Sequence, residues 1–157
     1  MKHTFQLIGI DHVQFEPLFA LSDEELRSFH AVRCFTTASP GYPCRISLED
    51  ASVGDELLLL PFVHQPATSP YRASGPIYVR RGAKQRKLPA GVVPSYVTSR
   101  LISLRAYDSE HMIVSASVCD GQFAAQEVEQ HFGNEAVAYI HLHNAKRGCF
   151  SCKVIRA

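Results

Sequence analysis

Short runs of strand-forming residues, cut by turn chemistry, fill most of this chain, and only two stretches carry helix signals. Residues 5–10 read as a first strand, with Phe5 and Leu7 alternating against Gln6 and Ile8. Residues 32–36 and 44–48 are further short strand candidates, and Ser39, Pro40, Gly41 and Pro43 between them form a turn. Residues 56–63 make the most apolar strand and suit a central position. Residues 77–81 follow after a long loop, 65–76, which holds three prolines. Two hairpins close the chain. Residues 101–107 and 112–118 flank Asp108, Ser109, Glu110 and His111. Residues 136–144 and 149–155 flank a turn ending in Gly148.

The first helix signal is a capping box, Ser22 with Glu25, which predicts a helix over about 22–31 with Leu26 and Phe29 facing the core. The second runs from Asp120, a cap residue, over 121–132. Phe123, Val128 and Phe132 are on its expected buried face, and Gly133 stands where a left-handed closing residue is expected. No regular strand–helix alternation exists. The expected fold class is therefore α+β, a mainly antiparallel β-sheet of short strands with two short helices, forming one domain over 1–157.

Composition narrows the function classes. The chain is 46% hydrophobic and 20% charged, too apolar and too weakly charged for intrinsic disorder. Its net charge of +1 gives no general attraction to nucleic acid or anionic lipid. Five cations crowd into residues 80–87, but no aromatic residue is interleaved to stack on bases, so this run reads as a solvated loop. The longest apolar run, residues 57–63, is interrupted by Pro61 and is too short to span a membrane. The opening residues are too polar for a signal peptide, which makes the cytoplasm the expected compartment. Five cysteines, an odd number, argue against a closed disulfide framework and are expected to be mostly reduced there.

Two segments carry candidate chemistry. On the last hairpin His141 and His143 are two apart, so both point to one face with Tyr139, while Ile140 and Leu142 take the other. A regular four-residue turn pairs His143 with Phe150 and His141 with Cys152. His141, His143 and Cys152 on one face form a three-ligand set of the kind that binds zinc and leaves a position for water, which makes zinc the candidate cofactor. Cys149 and Cys152 are three apart on a strand, so their sulfurs diverge, which speaks against a redox pair. Cys149, just after Gly148, is a candidate nucleophile with His64 or His143 as its base and Asn144 as an orienting group. In the 64–76 loop, Arg72 and Ser74 suit an acidic group, and Arg45 could join them.

The chain also resembles, almost end to end, the bacterial "domain of unknown function 1203" family. The matching stretches are PGYPCRISLED at 40–50, GDELLLLP at 54–61, HQP at 64–66 with SPYRASGPI at 69–77, SLRAYD at 103–108, and YIHLHN at 139–144 with RGC at 147–149. The resemblance implies a bacterial protein of about one domain and brings no activity and no catalytic residues with it.

The expected function is an enzyme-like small-molecule site, metal-dependent if zinc binds, built from the 64–76 loop and the 139–152 hairpin and taking a small molecule with an acidic group. The alternative is a non-catalytic ligand-binding or protein-interaction module with no metal.

Overall fold

A computed structural model describes residues 4–157 and arranges the strands into two five-stranded sheets. The first sheet has the order β1 (Phe5–Ile8), β10 (Phe150–Arg156), β9 (Tyr139–Asn144), β7 (Leu101–Tyr107), β8 (Ile113–Asp120), and every pairing in it is antiparallel. The second has the order β2 (Val32–Phe35), β5 (Glu56–Gln65), β6 (Ala73–Arg80), β3 (Pro43–Cys44), β4 (Glu49–Asp50), with one parallel contact between β3 and β6. Three α-helical segments join them: α1 (Asp23–Leu26), the single turn α2 (Ser95–Thr98) and α3 (Ala124–Phe132). With the tight turns adjoining them, α1 extends to Phe29 and α3 begins at Gly121. The fold is α+β, mainly β. Among the described residues no helix is long and apolar enough to cross a membrane.

The capping box forms as read. Ser22 Oγ accepts from the Glu25 N–H, and Glu25 Oε1 accepts from the Ser22 N–H. Asp120 likewise caps the second helical stretch through the Gln122 N–H. Three details differ. Leu26 is buried but Phe29 is exposed, because the helix tightens into a narrower turn after Leu26 and rotates Phe29 outward. Phe123 lies in the same kind of turn and is exposed, while Val128 and Phe132 are buried. Gly133 is right-handed, with φ −59°.

The largest revision concerns residues 65–76. β5 runs to Gln65 and β6 starts at Ala73, so only 66–72 connect them. Pro61 and Pro76 sit directly opposite one another in this pair. Each lacks an N–H, so placing them together confines the missing ladder bonds to one position. The expected 44–48 strand is instead a tight turn between β3 and β4, with Leu48 at φ 55°.

Each sheet has its own core. The first sheet buries Ile102, Leu104, Ile140, Leu142 and Val154 against α3, through Val128 and Phe132. The second buries Leu58, Leu60, Ile77 and Val79 with Phe15, Phe19 and Leu26. A polar lock ties α3 to β8. Ser117 donates to Glu127 at 2.8 Å, so its oxygen accepts from His131 Nε2, leaving His131 Nδ1 to accept from Ser115 at 2.7 Å.

The sheets are joined where β1 ends. The Ile10 N–H donates to the Arg45 carbonyl, and the Gly9 N–H to the Arg86 carbonyl. A Cβ at Gly9 would lie 2.0 Å from the Ile46 carbonyl oxygen, so only glycine permits this approach. Gly9→Ala is expected to destabilise the fold by about 2 kcal/mol, the scale of overpacking a close contact. Urea denaturation measures it, and an unchanged midpoint would show that the two backbones separate at no cost.

Candidate functional site

The outer face of the first sheet carries Ser103, Arg105 and Tyr107 from β7, Tyr139, His141 and His143 from β9, and Phe150 and Lys153 from β10. These positions follow from strand alternation. Ile140 and Leu142 point into the core, so their neighbours point out, as expected from the sequence. β5 crosses above this face. It carries an extra residue between Phe62 and Gln65 relative to β6, a bulge that bends the strand there. Next to the bulge both His64 and Gln65 reach the first sheet. The His64 ring stacks on Phe150 at 5.4 Å and meets His143 edge-on at 5.0 Å. His141 lies 6.3 Å from His64 and 6.5 Å from His143 between ring centres.

A cavity of about 390 Å³ opens beside these rings. Its polar wall is His64, Gln65, His111, Tyr139, His141 and Lys153. Its apolar wall includes Ile8, Ile10, Phe62 and Phe150. Gln65 Nε2 donates to the Tyr139 hydroxyl at 2.9 Å, so the Tyr139 proton is directed to His111 Nδ1 at 2.8 Å. That chain occupies Tyr139. The three clustered histidines are different. His143 Nδ1 donates to the Gly148 carbonyl at 2.9 Å, because a carbonyl can only accept, and this leaves a bare lone pair on Nε2. His143 Nε2, His141 Nδ1 and both ring nitrogens of His64 are buried without a partner among the described residues.

Burial sets the charge of this cluster. It holds His141 down to about 3, with the charges of His143, His64, Lys153 and Arg105 adding to the effect. Burial likewise brings His143 down to about 4, and the bond to Gly148 opposes only part of that fall. His64 is lowered too, by burial and then by Arg105. All three rings are neutral at pH 7.

Cys152 does not join them, which corrects the expected His141, His143 and Cys152 set. β10 carries one unpaired residue, Ser151: Phe150 pairs with His143 as expected, but Cys152 pairs with Leu142 and Lys153 with His141. Cys152 therefore turns into the first core, where burial raises its thiol to about 12. Among the described residues no group of three or more His, Cys, Asp or Glu side chains is placed to hold a metal ion.

The other candidates scatter. Cys149 is half-buried, and its sulfur accepts from Arg45 Nη2 at 3.3 Å rather than meeting His64 or His143. Arg45 is 1% exposed and also donates to the Phe150 carbonyl at 2.8 Å and the Pro43 carbonyl at 2.7 Å. It fastens one sheet to the other instead of facing the cavity. Arg72 is exposed and donates to the Pro66 carbonyl within its own connection, and Ser74 is exposed on β6. Asn144 is half-buried with an unpartnered Oδ1. Of the two segments expected to meet, the hairpin supplies His141 and His143 and the 64–76 stretch supplies His64. Phe150, Lys153 and the Tyr139–Gln65–His111 chain were not singled out as site residues. Lys153 depends on the bulge at Ser151, which leaves no mark in residue alternation, whereas Phe150 stands opposite His143 in the expected register.

The family model for "Protein of unknown function (DUF1203)" matches residues 41–156, which span β3 to β10 and so nearly the whole cluster. The chain belongs to the DUF1203 family. Within that matched stretch lie Arg45, His64, Arg105, His141, His143 and Lys153, while Ile8 and Ile10 of the apolar wall lie before it. No curated protein and no solved structure matches the chain.

Proposed function

We propose that this DUF1203 protein is a small-molecule-binding module whose site is the cavity between the end of β5 and the outer face of the first sheet. The observation that carries the reading is the set of buried, unpartnered ring nitrogens on His64 and His141 in the cavity wall. An unsatisfied buried polar atom costs roughly 1–3 kcal/mol, and a ligand that supplies a hydrogen bond recovers it. The cavity volume falls within the range of small-molecule sites, and its mixed polar and apolar walls suit a ligand of two characters.

Binding is favoured over acid–base catalysis. A general base works best with a pKa near the operating pH, and His141 and His143 are held far below it. The sulfur of Cys149 has no histidine partner, which leaves the nucleophile reading without a base. The test is a titration of ring-labelled histidine by NMR with a set of small aromatic and aliphatic acids, amides and alcohols. Fragments that bind in the cavity shift the His64 and His141 rings, and Phe62→Trp, which fills the apolar wall, abolishes the shifts. Shifts that persist in the filled variant, or rings that no fragment moves, would overturn the reading.

A further inference from the structure

Three basic residues stand abreast on the outer face of the first sheet. Arg105 of β7 is paired directly with His141 of β9, and His141 is paired directly with Lys153 of β10. Cross-strand neighbours of this kind lie close enough to interact, and the two cations, Arg105 and Lys153, flank the neutral His141 from the strands on either side. Folded proteins normally relieve such a row with a carboxylate. Here none is supplied. Arg33, Arg81, Lys84, Arg86 and Arg100 each pair with an Asp or Glu elsewhere in the molecule. Among the described residues neither Arg105 nor Lys153 forms an ion pair, and neither donates a hydrogen bond, although both are half-buried. Lys153 instead rests its ammonium over the Tyr139 ring at 4.6 Å. His141, between them, is 3% exposed, lines the cavity, and has an unpartnered Nδ1.

We propose that the ligand of this cavity is a small amphipathic anion, whose carboxylate or phosphate group is held by His141 and Lys153 on the cavity wall, with the charge of Arg105 on the neighbouring strand behind them, and whose apolar body lies against Phe62, Ile8 and Ile10. This inference rests on the cavity being a ligand site. Lys153 and His141 line the cavity together with Ile8, Ile10 and Phe62, and Ile8 is the cross-strand neighbour of Lys153, so one molecule can meet both kinds of wall. An anion there would supply the countercharge that the row lacks. It would also accept a hydrogen bond from His141 with the ring proton on the cavity side, and charge-assisted bonds from the cations. A neutral ligand of the same shape could fill the apolar part but would leave the row uncompensated.

The experiment compares three probes of one shape by calorimetry at low salt: benzoate, phenyl phosphate and benzamide. Either anion is expected to bind at least about tenfold more tightly than benzamide, and the better of the two identifies the headgroup class. Lys153→Met and Arg105→Met are each expected to lower the ratio of anion to benzamide affinity by about fivefold or more. Both positions are half-exposed, and circular dichroism checks that the variants fold. The wild-type ratio of benzoate to benzamide needs no variant at all. Equal binding of the amide and the anions would overturn the anionic seat and leave the cavity as a ligand site. No binding by any probe up to about 10 mM would overturn both.

Discussion

Lowering the pH from about 7 to about 5 is expected to cost this protein about 4 kcal/mol of folding stability, most of it at two histidines. His141 and His143 have an ordinary value of 6.5 when unfolded and are held at about 3 and about 4 in the fold. Between those limits the unfolded chain binds protons that the folded chain refuses, so stability rises with pH. The contribution is fully present above 6.5 and is lost as the pH falls from there toward 4. Each histidine accounts for about 2 kcal/mol over this interval, and the two add, because neither ring is protonated in the fold at pH 5. His64 and His131 are also lowered, chiefly by burial, and act in the same direction. Urea denaturation at the two pH values measures the loss. His141→Gln should remove roughly half of it. A protein as stable at pH 5 as at pH 7 would show that the rings are already protonated or solvated in the fold.

Replacing Arg45 by alanine is expected to lower stability by about 3 kcal/mol, and by lysine nearly as much. The guanidinium lies fully within the protein and reaches three acceptors in two directions: the Pro43 carbonyl in its own sheet, the Phe150 carbonyl and the Cys149 sulfur in the other. Removing it leaves two carbonyls without their donor and opens a cavity between the sheets. Lysine keeps the charge but has no planar fork, so it cannot serve acceptors spread over both sides. Because Phe150 stacks on His64, the loss also loosens the cavity wall. The accompanying signature is faster alkylation of Cys149, whose sulfur loses its cover. Denaturation midpoints within about 1 kcal/mol of wild type would show that the two sheets hold together without this residue.

How far the sequence reached depended on the kind of signal. Caps are local chemistry, and Ser22 with Glu25 and Asp120 formed as read. Strand alternation is equally local, which is why the facing of Tyr139, His141 and His143 and the 101–118 hairpin were legible. The strand through residues 73–76 was hidden, because Gly75 and Pro76 carry loop chemistry, and only pairing with β5 makes them strand. Arg45 and Arg72, both expected to meet an acidic group, bond backbone carbonyls instead, for a similar reason. Each satisfies carbonyls, and which carbonyls surround it is a tertiary fact. Lys153 came to the site through a bulge, and His64 lies beside another.

The single unpaired residue in β10 has a consequence for reading relatives. Ser151 is one residue more than the pleat requires, and its carbonyl, outside the ladder, is taken by the Tyr96 hydroxyl at 3.0 Å. Everything after it is shifted in phase by one position. Sequences compared by their inward and outward rhythm alone would therefore exchange Cys152 and Lys153 across this point, assigning a thiol to the cavity and a cation to the core. A gap at position 151 restores the true correspondence: a relative that lacks this residue should keep an unbroken alternation through the hairpin and still present its counterpart of Lys153 beside His141.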